Sequence, residues 1–174
     1  MKNARAYPND AWTRGGLATI YVLFGDIPLA LENAERAYQL GANDEYTAST
    51  LGYVYALSGR YQESAALFRQ ALQTNANYFP AKFNLAYVEL MLEDFGPALE
   101  LLNKLESGGK MSPVIQAKVR NNIGFILWKT NKHEEARKKF QEALQINPNL
   151  LVAKKNLSFT AGGAPEAAML TDKG

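Results

Sequence analysis

Side chains able to do acid, base, nucleophilic or metal chemistry are sparse in this chain. Among its 174 residues there is one histidine, His133, and no cysteine. Lack of cysteine removes disulfides, thiol nucleophiles and thiolate metal sites. A single histidine leaves room for a Ser-His-Asp triad but not for a two-histidine metal site. His133 follows the turn Asn131-Lys132, where comparable stretches carry Ile27, Tyr61 and Phe95, so it reads as a packing residue at a helix start. The pairs Gly15-Gly16, Gly108-Gly109 and Gly162-Gly163 stand in no GxGxxG or P-loop context. Glu32/Glu35 and Glu134/Glu135 read as solvated helix faces and first-turn charges. No catalytic constellation and no cofactor follow. The expected function is non-enzymatic and lies on a surface.

That surface needs a scaffold, and the composition permits one. Hydrophobic residues are 47% and charged residues 21%, enough to bury a core and too apolar for a wholly disordered chain. A formal net charge of +2 is too small to imply nucleic acid by itself. The most apolar run, Leu17 to Phe24, is eight residues long and bounded by Gly16 and Gly25; a membrane helix needs about 20. Lys2 and Arg5 have no apolar core behind them, so a signal peptide is not expected at these residues. The expectation is a soluble chain, cytoplasmic, with the periplasm as the alternative if a signal stands upstream.

The scaffold announces itself as a repeat. Leu17-Ala18, Leu51-Gly52, Leu85-Ala86 and Ile123-Gly124 recur at steps of 34, 34 and 38 residues. Thirteen residues after each leading apolar residue stands a small one: Ala30, Ser64, Ala98 and Ala136. Four further on are Ala34, Phe68, Leu102 and Phe140, and three beyond those are Ala37, Ala71, Leu105 and Ala143. A turn precedes each small residue: Gly25-Asp26, Gly59-Arg60, Glu93-Asp94 and Asn131-Lys132. Leu17/Tyr21 and Leu51/Tyr55 share a helix face at i,i+4 spacing. Glycine or asparagine at the turn suits the left-handed conformation that ends a helix. Small residues let two helices approach, and Phe68 or Phe140 fills the remaining gap. Pro148 stops the fourth unit. The pattern predicts helices near 11–24, 27–40, 44–57, 61–74, 79–92, 95–106, 113–129 and 133–146. Ser112 reads as an N-cap and Pro113 as the first helical residue. The longer third step then reads as a tolerated loop insertion, with the next helix starting a turn early.

These residues resemble the tetratricopeptide repeat family, whose pattern runs Leu-Gly, Tyr, Gly, Ala, Phe, Ala and Pro over about 34 residues. The fourth copy fits best, with Asn122-Ile123-Gly124, Ala136, Phe140, Ala143-Leu144 and Pro148. Copies one and three put Ala18 and Ala86 for glycine, and Ala34 and Leu102 for phenylalanine. The resemblance implies an all-α fold: a right-handed superhelix of about four stacked helix-turn-helix repeats with a concave inner surface. The expected organisation is repeats at 11–44, 45–78, 79–112 and 117–150. Residues 1–10 would end a preceding repeat or linker, 151–162 would form a capping helix packed through Leu151 and Leu157, and 163–174 would be a tail. Tyr7-Pro8-Asn9 looks like the close of an earlier repeat, so the chain is expected to be part of a longer protein.

Inner-surface positions of the family, carried over by register, imply a peptide-binding set of Tyr46, Tyr53, Phe83, Asn84, Tyr87, Lys118, Asn121, Asn122, Phe125, Trp128 and Lys129. Trp12, Gly15, Gly16, Thr19, Val22 and Leu23 hold those positions in copy one, and Asn156 and Phe159 in the capping helix. Asn84, Asn122 and Asn156 recur at one position; an amide both donates and accepts, which suits the backbone of an extended peptide. The carboxylate clamp of chaperone-tail binders is not expected, because its Lys and Asn positions are Gly15 and Thr19. Residues 110–155 hold ten basic and three acidic residues against seven of each in 1–87, which favours an acidic partner near copy four. The expected function is a protein-binding scaffold for a partner with apolar and acidic residues. Alternatives are repeats that position another domain of a larger enzyme or of a secretion or pilus assembly protein, and RNA binding by the basic half. Exposed Leu17 and Ile20 would allow self-association through the N-terminal end.

Overall fold

The computed structural model describes residues 10–41, 44–108 and 111–158. Among them are nine helices and no strand: α1 (Ala11–Phe24), α2 (Ile27–Leu40), α3 (Glu45–Leu57), α4 (Tyr61–Thr74), α5 (Phe79–Met91), α6 (Phe95–Ser107), α7 (Pro113–Lys129), α8 (His133–Ile146) and α9 (Leu151–Ser158). The eight helices read from the repeat pattern lie within one residue of these bounds. The expected tail, the end of the capping helix with Phe159, residues 1–9 and the Gly109-Lys110 part of the insertion lie outside the described residues.

Local chemistry explains where the helices start. Asp10 accepts from the Trp12 and Thr13 amides, and Asp44 from those of Tyr46 and Thr47. Asp26 accepts from the Leu29 amide at 3.1 Å, with Pro28 in the first turn. Each satisfies orphan N–H groups of a first turn. Ser112 caps α7 through the Ile115 amide and Pro113 opens it, which lengthens α7 to 17 residues. All four turns that follow the first helix of a pair use a residue in the left-handed region: Gly25 at φ 78°, Gly59 at 74°, Glu93 at 60° and Asn131 at 63°. Glycine takes this conformation freely, whereas for a side-chain-bearing residue it costs about 1–2 kcal/mol.

The chain divides into two compact units, Met1–Val88 and Glu89–Gly174, with the division inside α5. In the first unit α1 pairs with α2 and α3 with α4, and α3 also packs on α1 and α2. Its core joins Ala18, Ala30, Ala34, Leu51, Val54 and Leu67, with Tyr21, Tyr38 and Tyr55 against it. In the second unit α7 pairs with α8, α6 packs on α7 and α9 on α8. There Ala117, Ala143, Leu150 and Ala153 form a core cluster. Leu151 is 65% exposed, so α9 does not pack through it as expected; Leu150, Ala153 and Asn156 are the buried contacts. A helix as short as α9 can turn only about one side inward, and Leu151 falls on the other.

The hairpins close because their contact positions are small. Ala30, Ser64, Ala98 and Ala136 are all fully buried. Ser64 Oγ donates to the Gly52 carbonyl at 2.6 Å, a bond between α3 and α4 that only a close approach allows. A methyl added at Gly52 would meet Phe68 Cε1 at 3.2 Å, and one at Gly124 would meet Phe140 Cε1 at 2.6 Å. Where glycine is replaced by Ala18, the facing position is Ala34, and both are fully buried.

Two stability outcomes follow. Gly124→Ala is expected to lower stability by about 1–3 kcal/mol, because the fully buried Phe140 ring has nowhere to move. Gly52→Ala is expected to stay within about 1 kcal/mol of the parent, since its milder clash is offset by helix propensity of roughly 1 kcal/mol; chemical denaturation compares the two, and an equal loss would refute the packing account. At Glu93, Gly and Val variants both lose the ion pair with Lys129, yet the Gly variant should be more stable by about 1–2 kcal/mol, because a β-branched residue is strained at positive φ. Equal denaturation midpoints would show that the turn relaxes.

Candidate functional site

In the first unit the surface is built on the N-termini of α1 and α3. Their Asp caps fix where Trp12 and Tyr46 emerge. The two rings stack with centroids 4.5 Å apart and planes 11° from parallel. Gly15, one turn after Trp12, makes the seat: a methyl there would lie 2.6 Å from Tyr46 Cε1. Trp12 is nevertheless 63% exposed, and Leu23 and Phe24 at the far end of α1 are 61% and 82% exposed. Burial pushes the Tyr46 phenol above its ordinary pKa, partly opposed by hydrogen bonds with Thr19 and Thr50, so the hydroxyl is neutral at physiological pH. The result is an aromatic ledge with one open indole face.

Of the other residues expected here, Tyr53 and Tyr87 are half-buried and engage neighbours. Phe83 is fully buried, its ring 6.2 Å from that of Phe79. Asn84 is 3% exposed and likewise has partners. Phe83 and Asn84 are therefore interior side chains rather than open lining.

In the second unit the expected set turns inward as well. Lys118, Asn121, Asn122 and Phe125 on α7 are all buried. Asn156 of α9 donates to Asn121 Oδ1 at 2.8 Å, and Asn121 donates to Asn122 Oδ1 at 3.3 Å. Two of the recurring asparagines expected to meet a peptide backbone, Asn122 and Asn156, are instead tied to Asn121, because a buried amide needs partners wherever it lies. Trp128 is half-buried with the His133 ring edge-on at 4.4 Å. The lone histidine is thus an exposed side chain at the start of α8 that touches Trp128.

Lys129 is exposed and pairs with Glu93 at 2.7 Å. Arg120 lies between Glu106 at 3.1 Å and Glu142 at 3.5 Å, and Lys139 also meets Glu142. Lys118, Arg120, Lys129 and Lys139, four of the basic residues of this half, are therefore buried or paired. Among the described residues no group of three or more histidines, cysteines or acids is placed to hold a metal, and no helix is long and apolar enough to cross a membrane. Register reasoning placed Trp12 on the inner face, but the Trp12–Tyr46 stack and the Asn121–Asn156 bond were not foreseen. A tryptophan three residues before a glycine was the available signal for the first.

Two family models, both described as tetratricopeptide repeat, match residues 55–119 and 117–150. The chain is 27% identical over 158 residues to anaphase-promoting complex subunit 7 of Arabidopsis thaliana, covering 90% of this chain and 27% of that protein. It thus spans about a quarter of the curated relative's length. Among solved structures, the anaphase-promoting complex hetero-tetramer Cut9–Hcn1 is similar at a TM-score of 0.77 and 22% identity, covering 89% of this chain and 30% of that one. MamA from Desulfovibrio magneticus RS-1 gives 0.69 and 20% over 86% and 82%, and PilF of Pseudomonas aeruginosa 0.70 and 16% over 86% and 68%. At these identities the structures speak for the fold.

The amide network gives a direct test. Asn121→Ala removes the acceptor for a buried Asn156 N–H and is expected to cost about 1–3 kcal/mol, with faster hydrogen exchange across α9. Lys129→Ala, which breaks an exposed pair, should cost under about 1 kcal/mol. Equal losses on denaturation would argue against the network.

Proposed function

Because the chain belongs to the tetratricopeptide repeat family, we propose that it is a non-catalytic scaffold that captures an apolar segment of a partner protein on the aromatic ledge of its first unit. Helical repeats of this family are protein-interaction modules. What supports the ledge as the contact point is the Trp12–Tyr46 stack, closely packed at 4.5 Å yet 63% exposed at Trp12. A large aromatic held in place by its neighbour loses little entropy on binding and offers much area, which is why tryptophan and tyrosine dominate binding hot spots. Leu23, exposed on the same face about three turns further along the helix, offers a separate apolar contact. Tyr53, Tyr87 and Trp128, each half-buried, are secondary contact candidates. Lys129, held by Glu93, would need to exchange that partner to meet an acidic group.

A second reading has one observation in its favour. The curated relative and one similar structure are subunits of the anaphase-promoting complex, and this chain spans only 27% and 30% of their lengths. In that reading the repeats position other parts of a larger assembly rather than capture a free peptide.

Panning a random peptide display library on the chain separates the two. The scaffold reading expects enriched peptides sharing apolar residues, with binding weakened at least about tenfold by Trp12→Ala, a substitution that removes the stack on Tyr46 at a cost of about 1 kcal/mol and should leave the helical circular dichroism of the chain intact. No enrichment, or affinity indifferent to Trp12, would overturn it in favour of an assembly role.

A further inference from the structure

The first unit holds a cavity that the ledge does not use. It opens between α2, α3 and α4 and has a volume of about 540 Å³, within the range of roughly 300–1,000 Å³ typical of ligand sites. Leu51 and Leu67, both core residues, line it. Tyr38 and Tyr55 line it too, and Glu35 and Glu63 bring two carboxylates. The Tyr38 hydroxyl donates to Gln70 Oε1 at 2.7 Å, which fixes that ring.

One contact within the chain shows a group that such side chains accommodate. The Arg60 guanidinium lies 3.7 Å from the Tyr55 ring centroid. It also pairs with Glu63, Nε donating to Oε2 at 2.8 Å, and this holds the Glu63 carboxyl below the usual carboxylate range. An aromatic face plus a carboxylate is the arrangement that suits a planar guanidinium. The chain has thus assembled one such arrangement with its own arginine. The other tyrosine and the other acid repeat the same pair of groups. Among the described residues Glu35 has no hydrogen-bond or ion-pair partner. An adjoining cleft brings Arg14, Arg36 and Glu32 beside Glu35, the two guanidiniums donating to Asn33 and Gln39.

We propose that this cavity is a separate binding site for an arginine side chain of a protein partner, its guanidinium stacked on Tyr38 and facing Glu35, its methylenes against Leu51 and Leu67. Arginine fits better than lysine because its flat, weakly hydrated head stacks on a ring while its edge serves a carboxylate. The site is independent of the aromatic ledge: it draws on α2, α3 and α4 and includes neither Trp12 nor Tyr46.

The test titrates the isotopically labelled full chain with acetyl-Gly-Arg-Gly-amide and with the same peptide carrying citrulline, which keeps the shape and loses the charge. Saturable amide shifts at Glu35, Tyr38, Tyr55 and Leu67 are expected with arginine, at least about tenfold weaker with citrulline. Glu35→Gln, at a surface position that should leave the melting temperature unchanged, should weaken arginine binding about three- to fivefold. Trp12→Ala should leave it as it is, so this site and the ledge stand or fall separately. No saturable shifts at those amides, an equal response to citrulline, indifference to Glu35→Gln, or loss with Trp12→Ala would each overturn the proposal.

Discussion

Everything in this fold rests on how closely two antiparallel helices approach within a pair. At Ser64 and Gly52 the approach is close enough for a side-chain hydroxyl to reach the backbone of the facing helix. Such contact demands small residues, and the space they leave is filled by one large neighbour. Phe68 over Gly52 and Phe140 over Gly124 are that neighbour. At the same place in the first pair stand Ala18 and Ala34, five side-chain carbons fewer, with Tyr21, Leu31 and Tyr38 packed against their cluster. Interiors are close-packed, so a pair built on glycine and phenylalanine resists a change in one partner alone.

Local and tertiary preferences agree along the chain. The turn that must reverse direction is entered through a left-handed residue every time, and three of the helices that follow begin on a half-buried residue, Ile27, Tyr61 or Phe95. Consistency between turn, cap and packing is what directs a chain to one structure. Glu93 is the exception: it accepts an unfavourable backbone conformation while its carboxylate meets Lys129.

The helices were legible because their signals are local. Periodicity of 3.6, aspartate caps and the Ser112-Pro113 start each act within a few residues, so reading them requires no knowledge of distant neighbours. Inner-surface residues were not legible in the same way. A register position says which way a side chain sets out, not what covers it, and Asn121, Asn122, Lys118, Phe83 and Phe125 all end up buried. Asn156 reaches Asn121 across 35 residues of sequence, and no spacing rule announces a hydrogen bond of that range. Leu151 fails for the converse reason: hydrophobicity predicts burial, but an eight-residue helix buries one side only.

The chain's two tryptophans fall one in each unit, and their surroundings differ. Trp12 lies face-on against a phenol with much of its indole in water, whereas Trp128 is half-covered and meets an imidazole edge-on. Intrinsic fluorescence therefore provides a separate optical reporter for each half of the molecule, without any label. Red-shifted emission from the wetter indole and shorter-wavelength emission from the sheltered one allow a partner's arrival to be assigned to one unit by which band it moves.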